Sequence, residues 1–171
     1  MRLADEISIR PAPDRGRVPH CEICIAGRPT GLHVAGKVFE AAVEVGGRYL
    51  VFVSEGVTME ELLSIHLVST DGQLLDTAGV GLISALGIFA RLKLEPPREV
   101  RFQFLGDGTW SVEVHSRPRW AWPLWREAPG VRRPWSLKRA FRVRASAPAS
   151  TTASGSGSGS GSGSASASAS A

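Results

Sequence analysis

At 171 residues and a formal net charge of +4, the chain has the length of one domain, and a body of this size can build its core without staples. Two cysteines cannot supply a disulfide framework, no apolar run reaches the ~18 residues of a membrane helix, and the opening MRLADEISIRPAPDRGR lacks the apolar centre of a signal peptide. A secreted disulfide scaffold and a helical membrane protein are thereby excluded, and a soluble cytoplasmic protein is expected.

Residues 1–19 hold prolines at 11, 13 and 19 among arginines and aspartates. Each proline removes a backbone donor and restricts its predecessor, so no continuous helix forms, and an N-terminal arm or edge segment is expected. From HCEICIAG onward the period becomes two: Cys21, Ile23 and Ile25 point one way, Glu22, Cys24 and Ala26 the other. KVFEAAVEV alternates as a half-buried strand, Gly46 and Gly47 turn the chain, and RYLVFV is apolar on both faces, as a central strand of a layered structure would be. MEELLSIHLVS and LLDTAGV, joined by TDGQ, predict a second hairpin. GLISALGIFARLKL fits either a short helix or a loop followed by a strand.

The clearest element is REVRFQFLGDGTWSVEVHS, a hairpin whose inner face carries Phe102, Phe104, Trp110 and Val112. Local hairpins without a long helix predict an all-β fold, an antiparallel β-sandwich or small barrel. Its domain runs over residues 20–125, ending in an extended Pro/Trp-rich segment.

Charge is divided unevenly along this chain. Residues 1–116 hold 11 Lys and Arg against 15 Asp and Glu, whereas residues 117–144 hold 9 basic side chains against Glu127 alone. RPRWAWPLWREAPGVRRPW, residues 117–135, also contains four of the five tryptophans. Prolines 118, 123, 129 and 134 make it an extended strap, and Trp120, Trp122 and Trp125 are expected to lie flat on the sheet, since exposed indoles invite aggregation. Beyond it, residues 126–144 are expected to project as a basic arm. Arg126, Arg132, Arg133, Trp135, Lys138, Arg139, Arg142 and Arg144 are its candidate binding residues. The competing expectation is an arm folded back on the acidic body. Residues 145–171 are an uncharged Ser/Gly/Ala tail with nothing to bury, expected to be disordered.

Motifs for catalysis are sparse. Cys21 and Cys24 form a C-x-x-C beside His20, but tetrahedral zinc needs four ligands and strand geometry sends the two thiols to opposite faces. Neither AGVGLISALG nor FLGDG matches a phosphate-loop fingerprint, and the folded part holds no G-x-S-x-G. No catalytic residue, metal ligand or cofactor is assigned. The function expected is a small non-catalytic interaction module, accessory or inhibitor-like, that recognises another protein. One alternative is a binder of nucleic acid or another polyanion, with arginines following phosphates and indoles stacking on bases. A further alternative is a divergent hydrolase centred on His66 or His115 with Asp71, Asp76 or Asp107.

Overall fold

The computed structural model describes residues 1–15, 18–56, 62–81, 87–105, 108–120, 127–134, 136 and 138–146, with residues 14 and 15 as backbone only. The described chain is all β, and its strands form three antiparallel sheets stacked like a sandwich with an added layer.

The first 35 residues supply β1 (Arg2–Leu3), β2 (Ile7–Arg15), β3 (Val18–Ile25) and β4 (Arg28–Ala35). The expected N-terminal arm is therefore sheet: β1 pairs with β5 (Val38–Glu44), and β2 pairs with β3. Pro11 is tolerated because β2 lies at the edge of the β2-β3-β4 sheet, where a missing donor costs no ladder bond.

The central sheet has the order β1-β5-β6-β7-β8-β12, with β6 (Arg48–Ser54), β7 (Leu63–Ser69), β8 (Leu74–Val80) and β12 (Val131–Arg132). Both hairpins expected from sequence are present, β5–β6 across Gly46 and Gly47 and β7–β8 across the TDGQ turn. Gly46 and Gly47 have φ of 58° and 70°, the left-handed values a two-residue hairpin turn requires. Leu50 and Phe52 enter one core and Tyr49, Val51 and Val53 a second, so β6 is buried on both faces as its composition implied. Strand β5 departs from the half-buried expectation. Its Val43 faces the first core and its Ala42 the second.

The third sheet has the order β13-β11-β10-β9, formed by β9 (Ala90–Glu95), β10 (Glu99–Gln103), β11 (Thr109–Trp120) and β13 (Lys138–Ser146). Over the described part of GLISALGIFARLKL a loop and a strand are found, and residues 82–86 lie outside the described residues. Strands β10 and β11 pair as expected, and Phe102, Phe104, Trp110 and Val112 are all buried. The rings of Phe52, Phe89 and Phe102 meet pairwise at 5.3 Å between centroids, joining this sheet to the central one. Trp110 Nε1 donates to the Phe104 carbonyl at 2.7 Å, which satisfies the indole inside the core.

Candidate functional site

The C-terminal basic segment is built into the fold instead of projecting from it. Strand β12 adds to the central sheet through Val131 opposite Val80, and β13 runs antiparallel to β11. The reason is local as well as tertiary. In KRAFRVRAS, Phe141 and Val143 alternate with Arg142 and Arg144, so one face can join the first core while the other stays polar. Ala145 and Ser146 belong to this strand, so the tail boundary moves to residue 147; the expected disorder from there on falls outside the described residues.

A buried carboxylate holds the segment in place. Asp76 Oδ2 accepts from the Ala140 amide at 2.7 Å, and Oδ1 accepts from Arg133 Nη1 at 3.2 Å and from its neighbouring Thr77 amide at 2.8 Å. Arg139 Nη1 approaches Asp76 Oδ1 to 3.9 Å. The Arg133 side chain is only 4% exposed, yet its charge is well surrounded. Nη2 donates to the Phe141 carbonyl at 3.0 Å, Nη1 to the Thr77 carbonyl at 3.3 Å, and the guanidinium sits 4.3 Å over the Phe141 ring. Nε lies 2.9 Å from Glu127 Oε1, a charge contact without hydrogen-bond alignment. Burial pulls the Arg133 pKa down, and the Asp76 and Glu127 carboxylates push it up. A guanidinium remains charged under these opposed influences, so the cluster is an ion-paired fastening.

The expected binding residues thus separate by environment. Arg133 and Arg139 turn inward to Asp76, and Arg144 pairs with Glu113 at 3.0 Å. Arg142 stands opposite Glu113 in the strand register. Arg132 and Lys138 are exposed, while Arg126 and Trp135 lie outside the described residues.

What remains exposed is the far end of β11 and the start of β13. Residues 116–120 of β11 are solvent-facing, with Arg119 opposite Arg139 and Trp120 opposite Lys138. Trp120 is 65% exposed, and Lys138 Nζ stands 5.5 Å from its ring centre. The expectation that Trp120 lies flat on the sheet is therefore corrected: β11 runs past the shared core at this end, leaving the indole with a cation for a neighbour. Trp122 and Trp125 lie outside the described residues.

The two histidines considered for hydrolysis are kept apart, and His115 alone of them lies within electrostatic reach of Asp76, whose carboxylate pushes its pKa up against the larger effect of burial. His66 on β7 faces the β2-β3-β4 sheet, whereas His115 belongs to β11 in the third sheet. His66 Nε2 lies 3.5 Å from the Ala35 carbonyl, which can only accept, so Nδ1 is left to accept from the Thr77 hydroxyl at 2.9 Å. Burial brings its pKa down to about 4, against a small upward pull from that carbonyl. His115 is also lowered, by burial first and then by Arg119, and its Nε2 is buried without a hydrogen-bond partner. Asp107 lies outside the described residues, and Asp71 lines an open hollow with Ile25, Arg28 and Thr70.

Cys21 and Cys24 are both buried free thiols, and burial, followed by the neighbouring Cys24, pushes the Cys21 thiol up to about 11. Such a thiol stays protonated and is a poor nucleophile. Among the described residues, no group of three or more His, Cys, Asp or Glu side chains is arranged to hold a metal ion, and no helix is long and apolar enough to cross a membrane.

The residues that sequence reasoning missed are Asp76 as anchor and the β13 alternation. The second signal is present in AFRVR, where apolar positions alternate with the arginines of the charge run. No family model, curated protein or solved structure matches the chain.

Proposed function

We propose that this protein is a non-catalytic binding module that docks an acidic surface of another protein onto the exposed end of the β11–β13 pair. Arg117, Arg119, Trp120 and Lys138 form the contact. The observation that carries the proposal is Trp120, 65% exposed beside Lys138. An indole left in water costs solubility and gains nothing for the fold, whereas Trp and Arg are the side chains that concentrate binding energy at protein interfaces. Arg117, Arg119 and Lys138 give this end a positive charge that would steer an acidic partner.

Single-stranded nucleic acid is the second candidate partner. It is favoured by the same indole and lysine, and by three further tryptophans at 122, 125 and 135 in the neighbouring sequence. Retention of the full chain on immobilised poly-glutamate and on an oligo-dT column, across a salt series, separates the two. Binding to poly-glutamate above oligo-dT, lost in Trp120→Ala and Lys138→Glu at unchanged melting temperature, supports the protein partner. Preference for oligo-dT transfers the site to nucleic acid, and retention on neither column that depends on these residues refutes both.

A further inference from the structure

A second charged feature lies on the outer face of the third sheet, away from the exposed indole. A hollow of about 210 Å³ is lined by Arg91, Lys93 and Glu95 of β9, Arg101, Phe102 and Gln103 of β10, and Thr109 of β11. Three cations and one carboxylate meet there. Two features of the backbone make this arrangement costly, and both concern the cations.

The first is the register. Lys93 stands directly opposite Arg101 in the antiparallel pair, and like charges in that position repel. Arg101 is partly compensated, with Nε donating to Glu99 at 3.0 Å and Nη1 lying 3.7 Å from Glu95. Among the described residues, neither Arg91 nor Lys93 makes an ion pair or side-chain hydrogen bond.

The second is Arg91 itself. Arg101 pairs with Lys93 and Gln103 with Ala90, so two β9 residues, 91 and 92, stand against Phe102 alone. This is a β-bulge, and Arg91 occupies it at φ 52°. That left-handed conformation suits glycine and costs an arginine about 1 kcal/mol or more. Arg91 lines the hollow together with Lys93 while Leu92 between them packs against the core. A glycine would serve the backbone better, so the guanidinium is what the position supplies.

We propose that this hollow is a binding site for a phosphoryl oxyanion, held by Arg91 and Lys93 and assisted by Arg101, Gln103 and Thr109. A bound oxyanion converts the Lys93–Arg101 repulsion into shared attraction, and an arginine fork fits two of its oxygens at once. Gln103 and Thr109 supply neutral donors from the adjoining strands.

Isothermal titration of the full chain with inorganic pyrophosphate tests the site, with inorganic phosphate and chloride as parallel arms. The expected result is saturable pyrophosphate binding, weaker for phosphate and absent for chloride, that raises the melting temperature. Arg91→Gly keeps a residue suited to the bulge while removing the guanidinium. It should weaken binding at least tenfold with an unchanged or higher melting temperature in the free protein, and Lys93→Ser should weaken it similarly. Trp120→Ala should bind pyrophosphate like the unaltered chain, which keeps this site separable from the β11–β13 surface. Absence of saturable binding, or affinity unaffected by Arg91→Gly, overturns the proposal. An Arg91→Gly variant that aggregates yet binds pyrophosphate as before also overturns it, because the charges would then only guard the open edge of β9.

Discussion

Replacing Asp76 by Ala should release the C-terminal segment from the body. The carboxylate accepts from the Ala140 and Thr77 amides and from Arg133, whose side chain is 4% exposed. Alanine leaves a buried guanidinium without its main counter-charge and orphans the Ala140 amide. Breaking a buried pair from one side costs about 3–5 kcal/mol, and an unsatisfied buried donor about 1–3 kcal/mol, with overlap between the two. A loss of about 4 kcal/mol is a large part of the ~5–15 kcal/mol that holds a domain together. At about 3–6 °C per kcal/mol for a domain of this size, the melting temperature should fall by more than about 10 °C. Thermal melts measure that fall and urea titrations the free energy, each followed by tryptophan fluorescence and by far-UV circular dichroism, and limited proteolysis should cut first within residues 127–146. The paired replacement Asp76→Leu with Arg133→Met should recover the ion-pair part of the loss, because it removes both buried charges together, while the orphaned Ala140 amide keeps the remainder. An Asp76→Ala protein that melts within about 1 kcal/mol of the unaltered chain would refute the buried ion pair as the fastening of this segment.

Three other outcomes follow from the packing. Phe104→Ala should cost about 3–5 kcal/mol by denaturant titration, since the ring is fully buried in the first core; an unchanged midpoint would remove it from that core. Gly36 has φ 112°, and a Cβ there would sit 2.5 Å from Val53 Cγ1, so Gly36→Ala should destabilise by about 1–3 kcal/mol in the same assay, and a neutral result would contradict the close approach. His66 titrates near 4 when folded and near 6.5 when unfolded, so the unfolded chain binds the extra proton between those values. The stability it contributes is therefore full above about pH 6.5 and declines by roughly 3 kcal/mol as pH falls to about 4. Melts from pH 4 to 7 should show that slope in the unaltered chain and a flatter one in His66→Gln; identical slopes would place His66 in water.

Sequence alone was enough for the hairpins, whose partner strands are neighbours along the chain. Strand alternation and paired glycines specify the β5–β6 hairpin, and a Gly-Asp-Gly between aromatic strands specifies the β10–β11 hairpin. The two-sided apolar character of RYLVFV marked a central strand of a layered structure, and both of its faces are covered, whereas a third sheet came only with the tertiary structure. Tertiary structure decided the rest. Asp76 lies 57 residues before Arg133 and 64 before Ala140, so the partner that neutralises the basic segment is invisible to any local window. Charge reads the same along a chain whether an arginine faces water or a buried carboxylate. Arg133 and Lys138, close in sequence and alike in charge, therefore end in opposite environments, one sealed over Phe141 and the other beside an exposed indole. The hollow at Arg91 depends equally on register, since Lys93 meets Arg101 only through the β9–β10 pairing and Arg91 stands in the bulge of that pairing, which is set by how the two strands pair.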